Sequence, residues 1–328
     1  MTIDPTPRAT EWLRDHALPH SDRVEMTESV GEFPNGGRYG VEIPAINTLS
    51  MLETMIDLLT ENGVYCTRFN ETHGSFLLSD LELGEMFDLC AQRGYGYVIG
   101  LGPRPEYDIK ASFYRTKFGL EVGRQVNNND AIAVAVEETF RLVELGCRGI
   151  LVYDMGLCRV VHQMRAAGAI PADVRIKTSS HCSLTNAMLG QIMQENGADT
   201  VTTMHDLAME SLYEIRRLSP GLVLDIPTDT YRSKGGYIRF YELAQMVQLC
   251  SPVFLKMGGS VQEDPNDTAG EGLARRKVDR VGVGLEYLEK HLPPDVARID
   301  PSDPMACIPQ PAGSTPALAE PVLATTPA

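Results

Sequence analysis

Eight short apolar segments recur along the chain, and segments with the helical spacing of apolar residues separate most of them. The eight are rich in β-branched and aromatic residues and cover 39–45, 64–69, 95–101, 149–154, 174–180, 200–205, 221–226 and 252–258. Strands that are apolar along almost their whole length are typical of a parallel sheet covered on both faces. Eight strand–helix units in about 250 residues match the size of a closed barrel. The sequence therefore predicts an α/β fold, a TIM-like (β/α)8 barrel that forms a single main domain.

The segments between the strands support this prediction. Apolar residues at helical spacing predict helices over 50–62, 131–145 and 184–196. Four of the strands follow a glycine that can end a helix in the left-handed conformation, at Gly63, Gly94, Gly146 and Gly197. An open doubly wound sheet is the alternative, but no GxGxxG or P-loop pattern in the chain favours it.

The two ends of the chain differ in composition from the barrel region, which we place at residues 38–298. Residues 1–37 are rich in turn formers, including FPNGG at 33–37, and are interpreted as an N-terminal arm on the base of the barrel. Residues 299–328 are dominated by Pro, Ala, Ser and Thr. Such a composition buries little apolar surface, so the sequence predicts a disordered C-terminal tail.

Charge and cysteine content restrict the class of protein. The 328 residues include 29 basic and 44 acidic side chains, a formal net charge of −15. A surface this acidic repels phosphate backbones, which argues against general nucleic-acid binding. The seven cysteines form no CxxC pair, which indicates reduced thiols in the cytoplasm. No segment approaches 18 consecutive apolar residues and no apolar signal core opens the chain, so we expect no membrane association.

Polar side chains follow the predicted strands, where the loops of the functional face of a barrel begin. Active sites of TIM barrels form at the carboxyl ends of the strands. We therefore predict a substrate-binding site at this mouth, formed by Glu42, Arg68, Asn70, Arg104, Lys177, Ser179, Arg232 and Arg239. Asp154, Ser183 and Asp206 have an alternative role, because each can cap the helix that follows it.

Two long loops add positive charge to the predicted mouth. The loop 102–127 contains Arg104, Lys110, Arg115, Lys117 and Arg124, and the loop 227–239 contains Arg232, Lys234 and Arg239. Long loops after barrel strands commonly form lids or binding loops. In a chain that is acidic overall, these clusters indicate that the substrate carries a carboxylate or a phosphate, clamped by Arg104 and Arg239.

Three histidines follow three different strands and can converge at the same rim. His73, His181 and His205, together with Asp225, are the predicted ligands of a divalent metal that would activate water. His181, His205 and Asp154 are also predicted catalytic residues. No local motif such as HExxH fixes a metal site.

Lys256 is the fourth predicted catalytic residue. It lies in the apolar strand PVFLKMG, where a charged amine is costly unless it is paired or its pKa is lowered. A lysine with a lowered pKa can form an imine or act as a base. Pairing with Glu42 or Asp225 is the structural alternative for Lys256, and Lys177 has the same two interpretations.

Three central blocks resemble peptidase family U32, the collagenase-like peptidases, over residues 38–260. Asp154–Met155–Gly156 matches the first block of that family, and the other two contain Thr178, Ser179, His181 and Asn186, then His205, Asp206, Leu207, Glu214 and Ile215. The resemblance implies a TIM-like barrel in a bacterial cytoplasm. It also implies either a protease-like activity or an oxygen-independent hydroxylation that uses an iron–sulfur cluster held by four cysteines. The cysteine cluster of the family is absent from this sequence, so we expect no iron–sulfur cluster.

These observations lead to a first prediction and two alternatives. The first is a peptidase-like hydrolase that acts at the mouth on a small or peptidic carboxylated substrate, assisted by a divalent metal. The second is a lyase, isomerase or hydroxylase-type enzyme that uses a mouth lysine or histidine as its base. The third is a non-catalytic subunit that partners a cluster-bearing homologue. We expect a homo-oligomer or a complex with such a homologous subunit.

Overall fold

The computed structural model describes residues 6–22, 25–109, 112–116, 119, 124–265 and 270–311. Eight parallel strands form a closed barrel in sequence order, and the last strand pairs with the first. The strands are β1 (Tyr39–Pro44), β2 (Arg68–Asn70), β3 (Gly96–Gly100), β4 (Gly149–Val152), β5 (Arg175–Thr178), β6 (Thr200–Thr202), β7 (Val223–Pro227) and β8 (Val253–Lys256). Each overlaps a segment that the sequence predicted as a strand, and the predicted (β/α)8 barrel is confirmed.

Helices surround the barrel and pack on the outward side chains of the strands in one large apolar core. The α-helices are Pro7–Asp15, Leu49–Asn62, Asp80–Arg93, Asn129–Glu144, Met155–Ala166, Ala187–Glu195, Met209–Leu218, Leu243–Cys250 and Glu271–His291. Short 3-10 helices occupy Ser75–Leu77, Ser112–Arg115, Ser180–Cys182, Arg232–Lys234, Phe240–Glu242 and Pro304–Ala306. The four glycines predicted to end helices all have positive φ, between 61° and 106°.

Capping side chains fix where the helices begin. Five of them accept a hydrogen bond from the backbone N–H three residues later: Thr48, Ser79, Asn128, Asp154 and Asn186. The capping role predicted for Asp154 is therefore confirmed. The same prediction for Ser183 and Asp206 is wrong, because both lie in the left-handed region and the helices after them start at Ala187 and Met209.

Residues from both ends of the chain close the base of the barrel. The Phe33 ring packs on the Phe254 ring of β8, with 5.2 Å between centroids. Ile299 and Ala306 are buried in the same apolar cluster. The carbonyl of Cys307 accepts a hydrogen bond of 3.0 Å from the backbone N–H of Tyr97 at the start of β3. The base is thus sealed by apolar packing and by hydrogen bonds to strand ends.

Residues 299–311 consequently differ from the disordered tail that their composition predicts. The Asp303 carboxylate accepts hydrogen bonds from the N–H groups of Asn35 and Met305, at 2.7 and 2.8 Å. Composition is a poor guide here because the segment is ordered by the barrel base rather than by a core of its own. The rest of the predicted tail, residues 312–328, lies outside the described residues.

Within the described part of the chain, none of the helices combines the length and the apolar character needed to cross a membrane.

The close approach of Ala306 to β3 leads to a prediction about stability. A Cβ atom on Gly96 would overlap the carbonyl oxygen of Ala306 and crowd Arg68. Gly96→Ala should therefore lower the free energy of unfolding by about 1–3 kcal/mol, measured by denaturant titration. Gly84→Ala is the matched control, since Gly84 lies in a helix with open space around it and should gain about 0.5–1 kcal/mol. Equal stability of the Gly96→Ala variant and the wild type would contradict this description of the base.

Candidate functional site in the barrel mouth

Five charged side chains lie inside this barrel, alongside apolar ones such as Leu151 and Phe254. Alternate residues of a strand face the same side, and the inward positions place Glu42 on β1, Arg68 on β2, Lys177 on β5, Asp225 on β7 and Lys256 on β8. Their side chains are between 0 and 15% exposed. Interiors of TIM barrels are usually filled by branched aliphatic residues. The strand sequences of this chain therefore build an ionic interior inside an apolar shell.

Four of these residues form a closed set of ion pairs with balanced charge. The Glu42 carboxylate lies 2.8 Å from Arg68 Nε and 2.6 Å from Lys177 Nζ. The Asp225 carboxylate lies 2.8 Å from Arg68 Nη2 and 2.7 Å from Lys177 Nζ. We call these four residues the ionic core. Two carboxylates offset two cations, so the ionic core needs no further charge.

Lys256 is a third cation at the edge of the ionic core. Its Nζ atom is 3.5 Å from Glu42 Oε1 and 3.5 Å from Asn70 Oδ1, at the outer limit of hydrogen bonding. Burial, and then repulsion by Lys177, lower the pKa of Lys256 to about 8. Burial alone would raise the pKa of Glu42, but Lys177, Arg68 and Lys256 bring it well below its ordinary value. The carboxylate thus stays charged, while the outermost amine loses its proton around pH 8, well below the pH at which an ordinary lysine does so.

A pocket opens above the ionic core at the carboxyl ends of the strands. Every strand, or the loop that follows it, contributes to its wall. The lining residues are Pro44, Asn70, Thr72, Arg124, Leu151, Tyr153, Ser179, Ser180, His181, Thr202, His205, Pro227, Asp229, Thr230, Tyr231, Lys234, Lys256 and Pro265. The predicted location of the site, at the mouth of the barrel, agrees with this geometry.

The pocket wall is cationic. Arg124, Lys234 and Lys256 carry the positive charge, and Lys234 has no ion-pair partner among the described residues. Burial, then Arg124 and Lys234, hold the pKa of His181 well below its ordinary value. Burial, then Lys256 and Lys234, lower the pKa of His205 to about 4. Both imidazoles are therefore neutral near pH 7, where each can accept a hydrogen bond.

Asp229 is the one carboxylate among the described lining residues, and the backbone already engages it. Its Oδ1 accepts a hydrogen bond of 2.7 Å from the N–H of Gly258, and its Oδ2 accepts one of 2.9 Å from the N–H of Ser260. This carboxylate fixes the loop after β8. Arg124 is paired with Glu106 at 2.9 Å and Lys256 lies 3.5 Å from Glu42, so Lys234 is the lining cation whose charge is left to a ligand within the described part of the chain.

A second buried lysine, Lys277 from the helix Glu271–His291, lies beside the pocket. Burial lowers its pKa to about 7. Its ammonium donates hydrogen bonds to the carbonyls of Pro44 and Gly258, at 2.8 and 3.2 Å. Lys277 is not among the lining residues, and it holds the ends of β1 and β8 together.

Several predicted substrate-binding residues lie elsewhere. Glu42, Arg68 and Lys177 belong to the ionic core below the pocket, and Arg68 also reaches the base, where it donates to the carbonyl of Met305 at 2.9 Å. The placement of Arg68 at the mouth is wrong because it begins β2 and does not end it. Asn70 and Ser179, two positions further along their strands, do line the pocket.

The predicted arginine clamp is also corrected. Arg104 is buried away from the pocket, where it stacks 4.2 Å over the Tyr153 ring and donates to the Tyr153 hydroxyl. Arg239 pairs with Glu242 and donates to a backbone carbonyl, and Arg232 is exposed. From the same two loops, Arg124 and Lys234 supply the cations of the pocket instead. Lys110 and Lys117 lie outside the described residues.

The predicted metal ligands are not brought together. His181 and His205 line the pocket, whereas His73 does not, and Asp225 is held by Arg68 and Lys177. In residues 6–311, apart from the gaps given above, no cluster of three or more His, Cys, Asp or Glu side chains is arranged to hold a metal ion. The side chains present therefore do not fit the predicted metal site. Asp154, predicted to be catalytic, caps its helix through a bond of 2.9 Å to the N–H of Leu157.

Sequence reasoning missed the uncharged half of the pocket. Tyr153, Thr202, Thr230 and Tyr231 line it, and none of them stands out in the sequence. Strand alternation offers one signal that was available, because Thr202 follows Thr200 by two residues and must face the same interior. Glu71 was also missed as a structural residue, whose buried carboxylate accepts hydrogen bonds from Gly74 and Gly100.

Comparison with known proteins gives the chain no family. No family model matches it, and no curated protein matches it significantly in sequence. Solved structures similar to it include the YdjI aldolase from Escherichia coli K12, at 10% identity and a TM-score of 0.43 over 77% of this chain and 90% of that one. The U32 peptidase Mk0906 is similar at 13% identity and a TM-score of 0.40, over 69% and 95% of the two chains. The dimeric archaeal Rubisco from Hyperthermus butylicus is similar at 11% identity and 0.45, over 81% and 68%. Membership of family U32 stays a prediction.

The ionic core leads to a prediction about two matched variants. Glu42→Gln leaves buried cations without their shared partner and should lower the free energy of unfolding by about 3–5 kcal/mol. Lys256→Met removes the unbalanced charge and should cause no loss at pH 7. Because the pKa of Lys256 is lowered in the folded state, its protonated amine opposes folding below pH 8, and this cost disappears above pH 10.

The measurement is urea unfolding of both variants and the wild type between pH 6 and pH 10. The advantage of Lys256→Met over the wild type should be largest at the acidic end and should shrink as the pH rises. A loss in Lys256→Met as large as that in Glu42→Gln would mean that Lys256 is an integral member of the ionic core.

Proposed function

We propose that this barrel is an enzyme that binds a small anionic carbonyl compound in the mouth pocket and reacts with it through the ε-amine of Lys256. The observation that carries the proposal is a pocket that combines a weakly held lysine amine of lowered pKa with unpaired positive charge. This corresponds to lyase or isomerase chemistry, the second of the functions predicted from the sequence.

The pKa of Lys256 supports its role as the nucleophile. An ordinary lysine, with a pKa near 10.4, is neutral in about one molecule in 2,500 at pH 7. With a pKa of about 8, roughly one Lys256 in ten is neutral at that pH. Lys177 is excluded from this role by its short ion pairs to Glu42 and Asp225, and Lys277 by its bonds to two carbonyls.

The proposed step forms an imine. The neutral amine of Lys256 attacks the carbonyl carbon of the substrate, the amine transfers its protons, and the carbonyl oxygen leaves as water. The protonated imine then withdraws electrons from the adjacent carbon, so that a C–H or C–C bond at that carbon can break. The neutral imidazoles of His181 and His205 line the same pocket, where each can accept a hydrogen bond from the substrate and orient it against Lys256.

The positive charge of the pocket wall favours a substrate that carries an anionic group in addition to its carbonyl. Arg124 and Lys234 lie on the wall with Lys256; Arg124 is shared with Glu106 at 2.9 Å, and Asp229, the carboxylate among the described lining residues, is held by backbone N–H groups. A carboxylate or phosphate on the substrate would neutralise this wall in a largely buried site, where charge-assisted hydrogen bonds are strong. The substrate class is therefore a 2-oxo acid or a phosphorylated ketone or aldehyde.

A hydrolase, the first function predicted from the sequence and the one that the U32 resemblance implies, is the second candidate. Ser179 Oγ lies 3.3 Å from Nδ1 of the neutral His181, and both residues line the pocket. The same Oγ accepts a hydrogen bond from the N–H of His181, which is also the geometry of a local turn. Labelling of Ser179 by a fluorophosphonate probe, absent in Ser179→Ala, would favour the hydrolase over the lysine chemistry.

The imine predicts covalent trapping. Incubation with pyruvate or dihydroxyacetone phosphate and sodium borohydride should add the mass of the reduced adduct to Lys256, identified by peptide mass spectrometry. The trapping rate should rise with pH up to about 8, because the attacking species is the neutral amine. Lys256→Met should abolish the adduct.

Lys177 and Lys277 are internal controls, since both are buried yet engaged and should stay unmodified. The proposed function would be overturned if no 2-oxo acid or sugar phosphate tested gave an adduct at Lys256. It would also be overturned if the Lys256→Met protein were labelled to the same extent as the wild type.

A further inference from the structure

Three residues that line the mouth pocket carry a buried hydroxyl group that has no hydrogen-bond partner among the described residues. These residues are Thr202, Thr230 and Tyr231, whose side chains are 2%, 1% and 7% exposed. Among the other lining residues, Asn70 donates to two carbonyls, whereas Nε of Arg124 likewise has no hydrogen-bond partner among the described residues. The unpartnered hydroxyls are concentrated on the β6–β7 side of the pocket.

The strand geometry directs Thr202 into the pocket. Thr200 Oγ1 donates a hydrogen bond of 3.0 Å to Asp225 inside the barrel. Thr202 is two residues further along β6, so its side chain faces the same interior, one layer closer to the mouth. It therefore lies above the ionic core and beneath the pocket opening.

Tyr231 is held as a hydrogen-bond donor. Burial, with Asp229 and Glu42 adding to it, raises the pKa of Tyr231 well above its ordinary value, so the hydroxyl keeps its proton. The Lys277 ammonium lies 5.9 Å from the centre of the Tyr231 ring, and Tyr231 follows Asp229 and Thr230 in the loop after β7. The loop that carries two of the three hydroxyls is itself fixed by the bonds of Asp229 to Gly258 and Ser260.

Unpartnered hydroxyls in such a place are costly for folding. A buried hydroxyl without a partner costs about 1–3 kcal/mol, which is why nearly all such groups in proteins are bonded. A valine or a phenylalanine has the same shape and avoids this cost. A ligand that supplies the missing hydrogen-bond partners recovers this free-energy cost on binding. A ligand without polar groups at these positions does not recover it.

We infer that the ligand of this pocket is hydroxylated, that it carries at least one hydroxyl group besides its carbonyl and its anionic group, and that Thr202, Thr230 and Tyr231 recognise that hydroxyl. The ligand class is then a hydroxy-oxo acid or a phosphorylated hydroxyketone. The carbonyl and the anionic group of this ligand rest on the proposed function. Its additional hydroxyl group rests on the three unpartnered hydroxyls of the pocket residues.

The test compares two pairs of compounds that differ by one hydroxyl group. Pyruvate is paired with 3-hydroxypyruvate, and hydroxyacetone phosphate with dihydroxyacetone phosphate, so that one pair reports on a carboxylate and the other on a phosphate. Binding is measured by isothermal titration calorimetry to the Lys256→Met variant, which cannot form an imine. The hydroxylated member of at least one pair should bind at least fivefold more tightly, the factor that corresponds to about 1 kcal/mol.

Three variants locate the recognition. Thr202→Val, Thr230→Val and Tyr231→Phe, each made in the Lys256→Met background, remove a hydroxyl and keep the shape of the side chain. At least one of these variants should bring the ratio of the two dissociation constants within a pair close to one. The same variant should leave the affinity for the compound without the extra hydroxyl within about twofold of its starting value. Thr203→Val is the matched control, because Thr203 Oγ1 is also buried and unpartnered but does not line the pocket, and its ratio should stay unchanged.

The outcomes separate this inference from the proposed function. Three results would overturn the hydroxyl recognition. The two compounds of each pair could bind with equal affinity, none of the four compounds could bind, or no variant could change the ratio of dissociation constants within a pair. Borohydride trapping at Lys256 without any hydroxyl preference would leave the lysine chemistry in place. A hydroxyl preference without trapping would support the recognition and overturn the imine.

Discussion

The shared ion pairs of Glu42 inside the barrel are the interaction on which the rest of the structure depends. This one carboxylate joins β1 to Arg68 on β2 and to Lys177 on β5, and Asp225 on β7 binds the same two cations. Buried ion pairs contribute little net stability over an apolar core, but breaking one of them is costly. The ionic core therefore fixes the register of four strands across the barrel, and it places a strong local field directly beneath the pocket.

That field has a consequence for the residue above it. Because Arg68 and Lys177 already balance the two carboxylates, Lys256 adds a third cation that the ionic core does not require. Its distances of 3.5 Å to Glu42 and Asn70, against 2.6 Å for Lys177, reflect this difference. Repulsion and burial together favour the neutral amine, and the pocket gives that amine access to a ligand. The same arrangement that orders the interior thus leaves the amine of Lys256, the nucleophile that we propose, at the floor of the mouth.

Sequence reasoning was sufficient for the fold, and it placed the candidate site at the end of the barrel where the structure has a pocket. The apolar runs predicted all eight strands, with helix-ending glycines before four of them, and barrel architecture predicted that the strand ends form the pocket. It also selected Lys256, His181, His205, Asn70 and Ser179, which the structure brings together. These successes rest on periodicity, which is a local property of the chain.

The errors come from distances that local patterns do not contain. Arg68 and Lys177 looked like mouth residues because their position along the barrel axis depends on the stagger of the strands. Arg104 and Arg239 were chosen over Arg124 and Lys234 because the path of a long loop is not encoded in its charge. Order in residues 299–311 was missed because it comes from contacts with the barrel base.

The central claim is that the ionic core leaves Lys256 with a lowered pKa, and NMR titration of 13C-labelled lysine side chains tests it most directly. The Lys256 signal, assigned by its absence in Lys256→Met, should titrate with a midpoint near pH 8. A midpoint near the ordinary value of about 10.4 would contradict the account, because Lys256 would then be a fully paired cation of the interior.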